Sequence, residues 1–316
     1  MAHFLGWMVS AAVMSLAAGA ACAQNYPSKV IRILTSAPGS NNDWASRLIA
    51  QELTRSLGQR VIVENRGGYL AVENAAKSPP DGYTLLFSGN TVWLLPFLRD
   101  NVPYDPVNDL APVTLAIRSV IVIVVHPSLP VRSVKELITL AKARPGQLNY
   151  AAGTLGGSPH LAAEFFKAMT GTDIVRVPYK GTGPSVAALL GGEVHLMFPG
   201  LGSVAPHVKS GRLRAIAVAT TTPSMLAPSL PTIAATVPGY EALSIMGMFA
   251  PAKTPASIVN LLQQEIARGL NKPDVKELLF NGGVEVVAST PEEFAATIKA
   301  DMTRLGKLIR DAGIRE

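Results

Sequence analysis

The stretch from Lys29 to Gly58, KVIRILTSAPGSNNDWASRLIAQELTRSLG, decides the predicted fold. Its apolar, β-branched start is typical of a buried strand. The turn-forming run APGSNN follows, and Asn42 or Asp43 is expected to cap a helix because a short side-chain oxygen accepts from the amides of the first turn. The helix is predicted by apolar residues at helical spacing: Trp44, Leu48, Ile49 and Leu53. With the VIV run at 61–63, the stretch predicts a strand–loop–helix–strand unit whose polar loop opens onto a helix N-terminus, an end that suits an anion.

Length and composition fit a protein of two α/β lobes. The chain has 316 residues, of which 48% are hydrophobic and 16% are charged, and this is enough to form two lobes. The net charge of +6 is modest, and no block of Lys or Arg occurs. The charge therefore indicates mild attraction for acidic solutes and does not predict a nucleic-acid partner.

The first 23 residues are expected to be a signal peptide. Phe4 to Ala18 is mostly apolar, and Ala21-Cys22-Ala23 fits a small-x-small cleavage site. Cys22 is the only cysteine, so cleavage after Ala23 leaves a chain that forms no disulfide. Lipid anchoring at Cys22 is the rival interpretation, but residues 19–21 lack the bulky aliphatic residue usual before a lipidated cysteine. Both routes export the protein, and a periplasmic location is expected.

From Asn25 onward, predicted strands and helices alternate, which is typical of an α/β fold. Two apolar runs, Val120–Val125 and Ile245–Ala250, are predicted to carry the chain between lobes. The predicted first lobe comprises residues 24–120 and 246–316, and the predicted second lobe comprises residues 121–245. Each lobe would offer one polar loop to the cleft between them, Pro38–Asp43 from one side and Gly153–Ser158 from the other. Two helix N-termini facing one gap predict a carboxylate site.

Other helix starts carry clear signals. Ser133 with Glu136, and Thr290 with Glu293, have the spacing of a capping box. Ser158 followed by Pro159 predicts a helix with Ser158 as its cap.

Several short runs also occur in one fixed order along the chain. They are VENR at 63–66, PDGYTLL at 80–86, VPYDP at 102–106, LNYA at 148–151, VPYKG at 177–181, FAP at 249–251 and STPEEF at 289–294. Through these runs the chain resembles the Bug-type periplasmic solute-binding proteins of tripartite tricarboxylate transporters. The resemblance covers nearly all of the chain after the predicted signal peptide.

The resemblance implies a two-lobed periplasmic binding protein fold of type II, with two crossing strands as the hinge and the ligand cleft between the lobes. It implies a monomer that binds a small carboxylate (a di- or tricarboxylate, or an aromatic acid) without catalysis, cofactor or metal. Membrane permease subunits would receive the ligand. A sensor kinase is the alternative partner, in which case the protein senses its ligand for a two-component system. An exported α/β enzyme is a further alternative.

Carried onto this chain, the resemblance places the ligand among the two polar loops and the strand ends beside them. The predicted ligand-binding residues are Pro38, Gly39, Ser40, Asn41, Asn42, Asp43, Ser88, Asn90, Gly153, Thr154, Gly157, Ser158, His160, Tyr179 and Pro199.

Three positions depart from the family pattern. Asn41 and Asn42 stand where family members carry small residues, so two amide side chains are expected to reach the ligand. Tyr69 follows a shortened glycine-rich loop and is expected at the pocket wall. Pro199 replaces a common Asp, which removes a partner for an amino group and favours a ligand with a second carboxylate.

The sequence contains no motif that is typical of catalysis or of metal binding. Ser158 and His160 are too close in sequence to imply a nucleophile–base pair, and no G-x-S-x-G elbow is present. His126, His195 and His207 are scattered without metal-ligand spacing, so no metal site is predicted.

Overall fold

The computed structural model describes residues 26–67, 69–153 and 155–315. The strands are β1 (Ile31–Thr35), β2 (Val61–Asn65), β3 (Thr84–Gly89), β4 (Leu110–Val120), β5 (Val122–Val125), β6 (Leu148–Ala152), β7 (Ile174–Pro178), β8 (Leu196–Met197), β9 (Arg214–Val218), β10 (Leu243–Pro251) and β11 (Val284–Val286). The helices are α1 (Asn41–Leu57), α2 (Leu70–Ala76), α3 (Thr91–Leu98), α4 (Val134–Ala143), α5 (Ser158–Thr170), α6 (Thr182–Leu190), α7 (Leu201–Lys209), α8 (Ala256–Leu270), α9 (Pro273–Asn281) and α10 (Pro291–Asp311).

The first lobe is built on a six-stranded sheet in the order β11-β4-β10-β3-β1-β2. β1 pairs in parallel with β2 and β3, while β10 runs antiparallel to β3 and β4. The apolar start of the opening stretch is buried here, because Ile31 and Ile33 pack with Ile49 and Leu53 of α1. The opposite face is covered by α3 and α10, whose rings at Trp93 and Phe294 lie 6.0 Å apart. Helices on both faces make this an α/β lobe.

The second lobe is built on a five-stranded sheet in the order β7-β6-β8-β5-β9. One face packs against α4 and α5 through residues such as Leu137 and Phe166. The other face packs against α6 and α7 through Val186 and Val204. The predicted two-lobed α/β architecture is therefore confirmed.

The chain changes sheets twice. β4 of the first sheet ends at Val120 and β5 of the second begins at Val122, so Ile121 is the only residue between them. The return runs from the end of β9 to Leu243 at the start of β10. The lobe boundaries drawn from the sequence stay a prediction. Because β1, β3, β6 and β8 all end toward the junction of the sheets, the loops after them meet there.

Two predicted caps were wrong in detail. The cap of α1 is Ser40, whose hydroxyl accepts from the amide of Asp43 at 3.2 Å, so Asn42 and Asp43 lie inside the helix. The cap of α5 is Gly157, and Ser158 is the first helical residue. In both places the helix begins one to three residues earlier than predicted. The true cap is the residue with extended backbone just before the first helical residue.

The capping box predicted at the start of α10 is confirmed, with Thr290 and Glu293 bonding reciprocally. At α4, Ser133 caps the helix as predicted, but the Glu136 carboxylate accepts from the amide of Arg132 instead. In the described ranges, no helix combines the length and apolar character needed to cross a membrane.

Candidate functional site

The loop between β1 and α1 is held in place by the carboxylate of Asp43. Its Oδ2 accepts from the backbone N–H of Gly39 at 3.0 Å. Its Oδ1 accepts from Nδ2 of Asn65 at 2.8 Å and from Nε of Arg47 at 3.0 Å. The Asn65 amide also donates to the carbonyl of Ser36 at 2.7 Å. One buried carboxylate therefore ties the start of the loop to the first turn of the helix.

These hydrogen bonds also keep Asp43 ionised. Burial raises the pKa of its carboxyl, but the bonds from Asn65, Gly39 and Arg47 outweigh burial and hold the pKa below its ordinary value. Because this carboxylate is already occupied by donors of the protein, we assign Asp43 a positioning role in the loop. The charge of Arg47 is likewise directed to Asp43, at 2.9 Å.

The groups that the loop offers to a ligand are amides. Asn41 and Asn42, the first two residues of α1, are half-buried, and their side chains hydrogen-bond to no residue of the described ranges. The backbone N–H groups of a first helical turn have no partner within the helix. Pro38 and Gly39 lie exposed before them, and Gly39 takes a φ of +75°, which favours glycine. The loop therefore presents hydrogen-bond donors and carries no positively charged side chain.

The second polar loop, between β6 and α5, is held by His160. This residue is 3% exposed, and its Nδ1 accepts from the backbone N–H of Gly156 at 3.2 Å. Burial, helped by the positive charge of Arg176, lowers the pKa of His160 to about 4, so the ring is neutral at pH 7. His160 thus supports the loop from beneath. Thr154, another predicted ligand residue, lies outside the described residues.

The backbone at Gly153 lies against the loop that precedes α6. A methyl group on Gly153 would lie 3.1 Å from Cα of Gly181, and the carbonyl of Gly153 accepts from the Arg176 guanidinium at 3.2 Å. The two loops of the second lobe are therefore packed side by side, with the N-terminus of α6 at their edge.

Polar contacts cross from one lobe to the other at the ends of β3 and β6. The hydroxyl of Ser158 donates to Oδ1 of buried Asn90 at 2.9 Å. The hydroxyl of Thr91 donates to the carbonyl of Gly156 at 3.2 Å. Ser88, next to this pair, sits in β3 opposite Gly247 of β10. The structure thus brings Asn90 and Ser158 together, as part of the contact between the lobes.

A groove of about 700 Å³ lies where α1 and α6 begin, open between the lobes. Its walls include Gly39, Asn41 and Trp44 from the first lobe and Thr182, Gly183 and His207 from the second. Trp44, one of the apolar residues whose spacing predicts α1, is 37% exposed at this groove. Thr182 and Gly183 directly follow the VPYKG run, which was the only signal for them in the sequence.

Three of the residues expected at the ligand contact other parts of the protein. The hydroxyl of Tyr179 lies 3.5 Å from Oε2 of Glu193, and its ring packs against the apolar cluster under α6. Pro199 is buried, and its carbonyl accepts from the N–H of Val122 at 3.0 Å, so it supports the crossing between sheets. Tyr69, expected at the pocket wall, packs beneath the guanidinium of Arg99 at 4.9 Å.

A larger groove, of about 1100 Å³, runs along α10. Phe97, Val107, Ile298 and Met302 line it, and they all belong to the first lobe. Capture between lobes needs groups from both sides, so the interlobe groove fits the predicted site better despite its smaller volume. Among the described residues, no cluster of three acidic, histidine or cysteine side chains could hold a metal ion.

Comparison with known proteins agrees with this architecture. The family model described as "Tripartite tricarboxylate transporter family receptor" (TctC) matches residues 45–314. Protein BugT of Bordetella pertussis (strain Tohama I) is 35% identical over 300 residues, which are 93% of this chain and 92% of BugT.

Solved structures give the same result. A structure described as a periplasmic transporter is 37% identical with a TM-score of 0.86, covering 92% of this chain and 99% of its own. An R. palustris protein solved with adipate is 35% identical with a TM-score of 0.85, and the match covers 91% of this chain and 98% of that protein. MatC from Rhodopseudomonas palustris, solved with bound malate, is 26% identical with a TM-score of 0.82, and the match covers 90% of this chain and 100% of MatC. The chain therefore belongs to the tripartite tricarboxylate transporter receptor (TctC) family, whose fold is that of solute-binding proteins.

Proposed function

We propose that this protein captures a small carboxylate, a di- or tricarboxylate or an aromatic acid, in the cleft between its lobes. The observation that carries the proposal is the groove between the lobes, whose lining includes the first turn of α1 on one side and the first turn of α6 on the other. The relatives solved with adipate and with malate support the ligand class. The protein would act in the periplasm and deliver its ligand to the permease subunits of a tripartite tricarboxylate-type transporter.

The chemistry of the groove suits an anion that is bound by neutral donors. Backbone N–H groups at two helix starts, together with the amides of Asn41 and Asn42, would hydrogen-bond a carboxylate. The cation on this wall, Arg47, is already paired with Asp43.

A thermal-shift screen of the chain from Gln24 onward tests the proposal. The panel contains adipate, malate, citrate, benzoate and the amino acids aspartate and glutamate. A ligand at 100 times its Kd adds about 2.7 kcal/mol to the free energy of unfolding, which is a readily measured rise in Tm. We expect a rise with carboxylates that lack an amino group. No rise with any carboxylate of the panel would reject the proposed ligand class.

A paired variant tests the site itself. Replacing both Asn41 and Asn42 by Ala should weaken binding of the carboxylate found in the screen by at least about tenfold, since two donors are lost. Asn74→Ala is the matched control, because Asn74 is exposed on α2 and its side chain makes no hydrogen bond to a described residue. Unchanged binding by the double variant would remove both asparagines from the site.

Partner and export route remain predictions. A transporter and a sensor kinase would both recognise the ligand-bound protein. Isolating the membrane proteins that bind it, with and without ligand, distinguishes these two partners by the identity of the protein recovered.

The predicted signal peptide, residues 1–23, and the rival lipidation site at Cys22 lie outside the described residues. Intact mass of the exported protein distinguishes cleavage after Ala23 from a lipid on Cys22.

A further inference from the structure

Two glycine segments from different lobes touch beside the crossing strand. Gly202, in the first turn of α7, approaches the turn formed by Gly282 and Gly283, which joins α9 to β11 of the first sheet. A methyl group on Gly202 would lie 1.8 Å from the carbonyl oxygen of Gly282. From the other side, a methyl group on Gly283 would lie 2.6 Å from the backbone nitrogen of Gly202. Only residues without side chains allow this approach.

The contact is continuous with the cleft. Gly200, two residues before Gly202, lies close to the first turn of α1. A methyl group on Gly200 would lie 3.2 Å from the side-chain nitrogen of Asn41. The same methyl would lie 2.9 Å from the hydroxyl of Ser119, which donates to the carbonyl of Gly283 at 3.2 Å. The glycine contact therefore lies next to the Asn41 side of the groove.

The contact also lies next to the point where the chain changes lobes. Gly200 pairs with Ile121, the residue between β4 and β5. A small separation close to a pivot becomes a larger separation farther out, where the walls of the groove come from α1 on one side and α6 on the other. α7 is fixed to the second lobe by buried Leu201 and Val204, so the helix has little freedom to absorb the separation itself.

We propose that Gly202 is a positioning residue for ligand capture, and that its contact with the Gly282–Gly283 turn determines how far the lobes close. The inference rests on the proposed function of the cleft. In Gly202→Ala, the two backbones must move apart by more than about 1 Å, because the added carbon would otherwise overlap the Gly282 carbonyl. The variant therefore acts as a wedge that holds the cleft open.

Spin-label distances test the wedge directly. Cys22 is the only cysteine in the sequence, so a chain from Gln24 takes labels only at introduced cysteines. One pair, Gln51→Cys in α1 with Lys142→Cys in α4, reports on the distance between lobes. A second pair, Lys142→Cys with Lys209→Cys, reports on movement of α7 within the second lobe. All three positions are exposed.

In Gly202→Ala we expect a longer 51–142 distance and an unchanged 142–209 distance, both without ligand and with adipate or malate. We also expect the affinity for whichever of the two binds to fall at least about tenfold, because the closed arrangement is less populated. The matched control is Gly191→Ala, at the end of α6, where the nearest atom to an added methyl lies at an ordinary 3.5 Å. It should leave both distances and the affinity unchanged.

An unchanged 51–142 distance in Gly202→Ala, or a change confined to the 142–209 pair, would overturn the proposal, because the methyl would then be accommodated locally. If Gly202→Ala fails to fold, Gly283→Asn places a side chain in the same contact from the first lobe, and asparagine tolerates its φ of +72°. The same lengthening is expected there, and its absence would equally overturn the proposal. Should neither adipate nor malate bind the wild type, the ligand-free distances still decide this inference, while the ligand screen decides the proposed function.

Discussion

At the scale of single residues, Asp43 links the stability of the chain to the shape of the first polar loop. Asp43→Asn replaces one acceptor oxygen by an N–H₂ group that faces the donors of Gly39, Asn65 and Arg47. We expect the free energy of unfolding to fall by about 1–3 kcal/mol, because buried donors lose their acceptor. Urea unfolding measures this change, and carboxylate affinity should fall as well since the loop loosens.

The control for Asp43→Asn is Asp311→Asn. Asp311 pairs with Lys307 at the exposed end of α10, with side chains 57% and 71% exposed. Exposed pairs contribute little, so this variant should change the free energy of unfolding by no more than about 0.5 kcal/mol. Equal losses in the two variants would contradict the anchoring role of Asp43.

His160 gives a prediction about pH. Its pKa of about 4 in the folded protein lies below the ordinary 6.5, mainly because of burial and then because of Arg176. The unfolded chain therefore binds the proton more readily, and stability falls as the pH drops from about 6.5 to 4, by at most about 3 kcal/mol. His160→Asn retains an acceptor for the Gly156 amide and does not titrate.

The measurement is the urea midpoint of wild type and His160→Asn at pH 7 and pH 4.5. The variant should lose less stability on acidification than the wild type. Glu164 and Lys167 also face His160, and other carboxylates titrate in this range, but both proteins share them. A parallel loss in both proteins would mean that burial of His160 does not contribute to acid sensitivity.

At the scale of elements, two helix caps with the same chemistry differ in what they support. Ser40 caps α1 at the groove, and Thr290 caps α10 in the first lobe, each accepting a backbone amide at 3.2 Å. Ser40→Ala and Thr290→Ala should each lower the free energy of unfolding by about 1 kcal/mol. Only Ser40→Ala should also weaken carboxylate binding, because α1 begins at the site. Titration calorimetry beside urea unfolding checks this, and equal affinities in the two variants would contradict it.

Elements with a one-sided pattern could be predicted from the sequence, and those buried all round could not. The capping box at Thr290 and the strand–loop–helix unit after Lys29 were confirmed because each has a local signal. No helix is predicted from the sequence at Thr91–Leu98, where the structure has α3. Its residues Val92, Trp93 and Leu94 are all fully buried, so no polar face marks a helical period, and Pro96 lies inside it.

Of the two polar loops predicted at the cleft, only the first lines the interlobe groove, through Gly39, Ser40, Asn41 and Asp43, whereas the second-lobe wall comes from α6 and α7. Asn41 lines the groove and Asn42 follows it in the first turn of α1, and their contact with a ligand stays a prediction. Tyr179 carries the same motif-based expectation, yet its hydroxyl faces Glu193. Gly202 could not be found at all, since its role depends on the approach of Gly282, 80 residues away.

At the scale of the whole molecule, capture depends on two lobes that are joined closely at the crossings. Asn90–Ser158 and Thr91–Gly156 are hydrogen bonds between the lobes on one side of the cleft. The groove with Trp44 lies between the lobes where α1 and α6 begin. We expect closure of the lobes to be detectable at this groove, because the solvent exposure of an open groove changes more on closure than that of a contact that is already buried.

Trp44 should therefore report ligand capture. Of the tryptophans in the chain after the predicted signal peptide, Trp93 is fully buried, whereas Trp44 is 37% exposed beside the Gly282 turn. We expect acrylamide quenching of the intrinsic fluorescence to fall when a carboxylate that raises the Tm is added, because lobe closure shields Trp44 while Trp93 stays inaccessible throughout. Trp44→Phe should abolish the change and keep the rise in Tm. Quenching that stays constant at a saturating concentration of such a ligand would mean that binding leaves the groove as open as before, and the lobes would then act as a rigid pair whose cleft fills without closing.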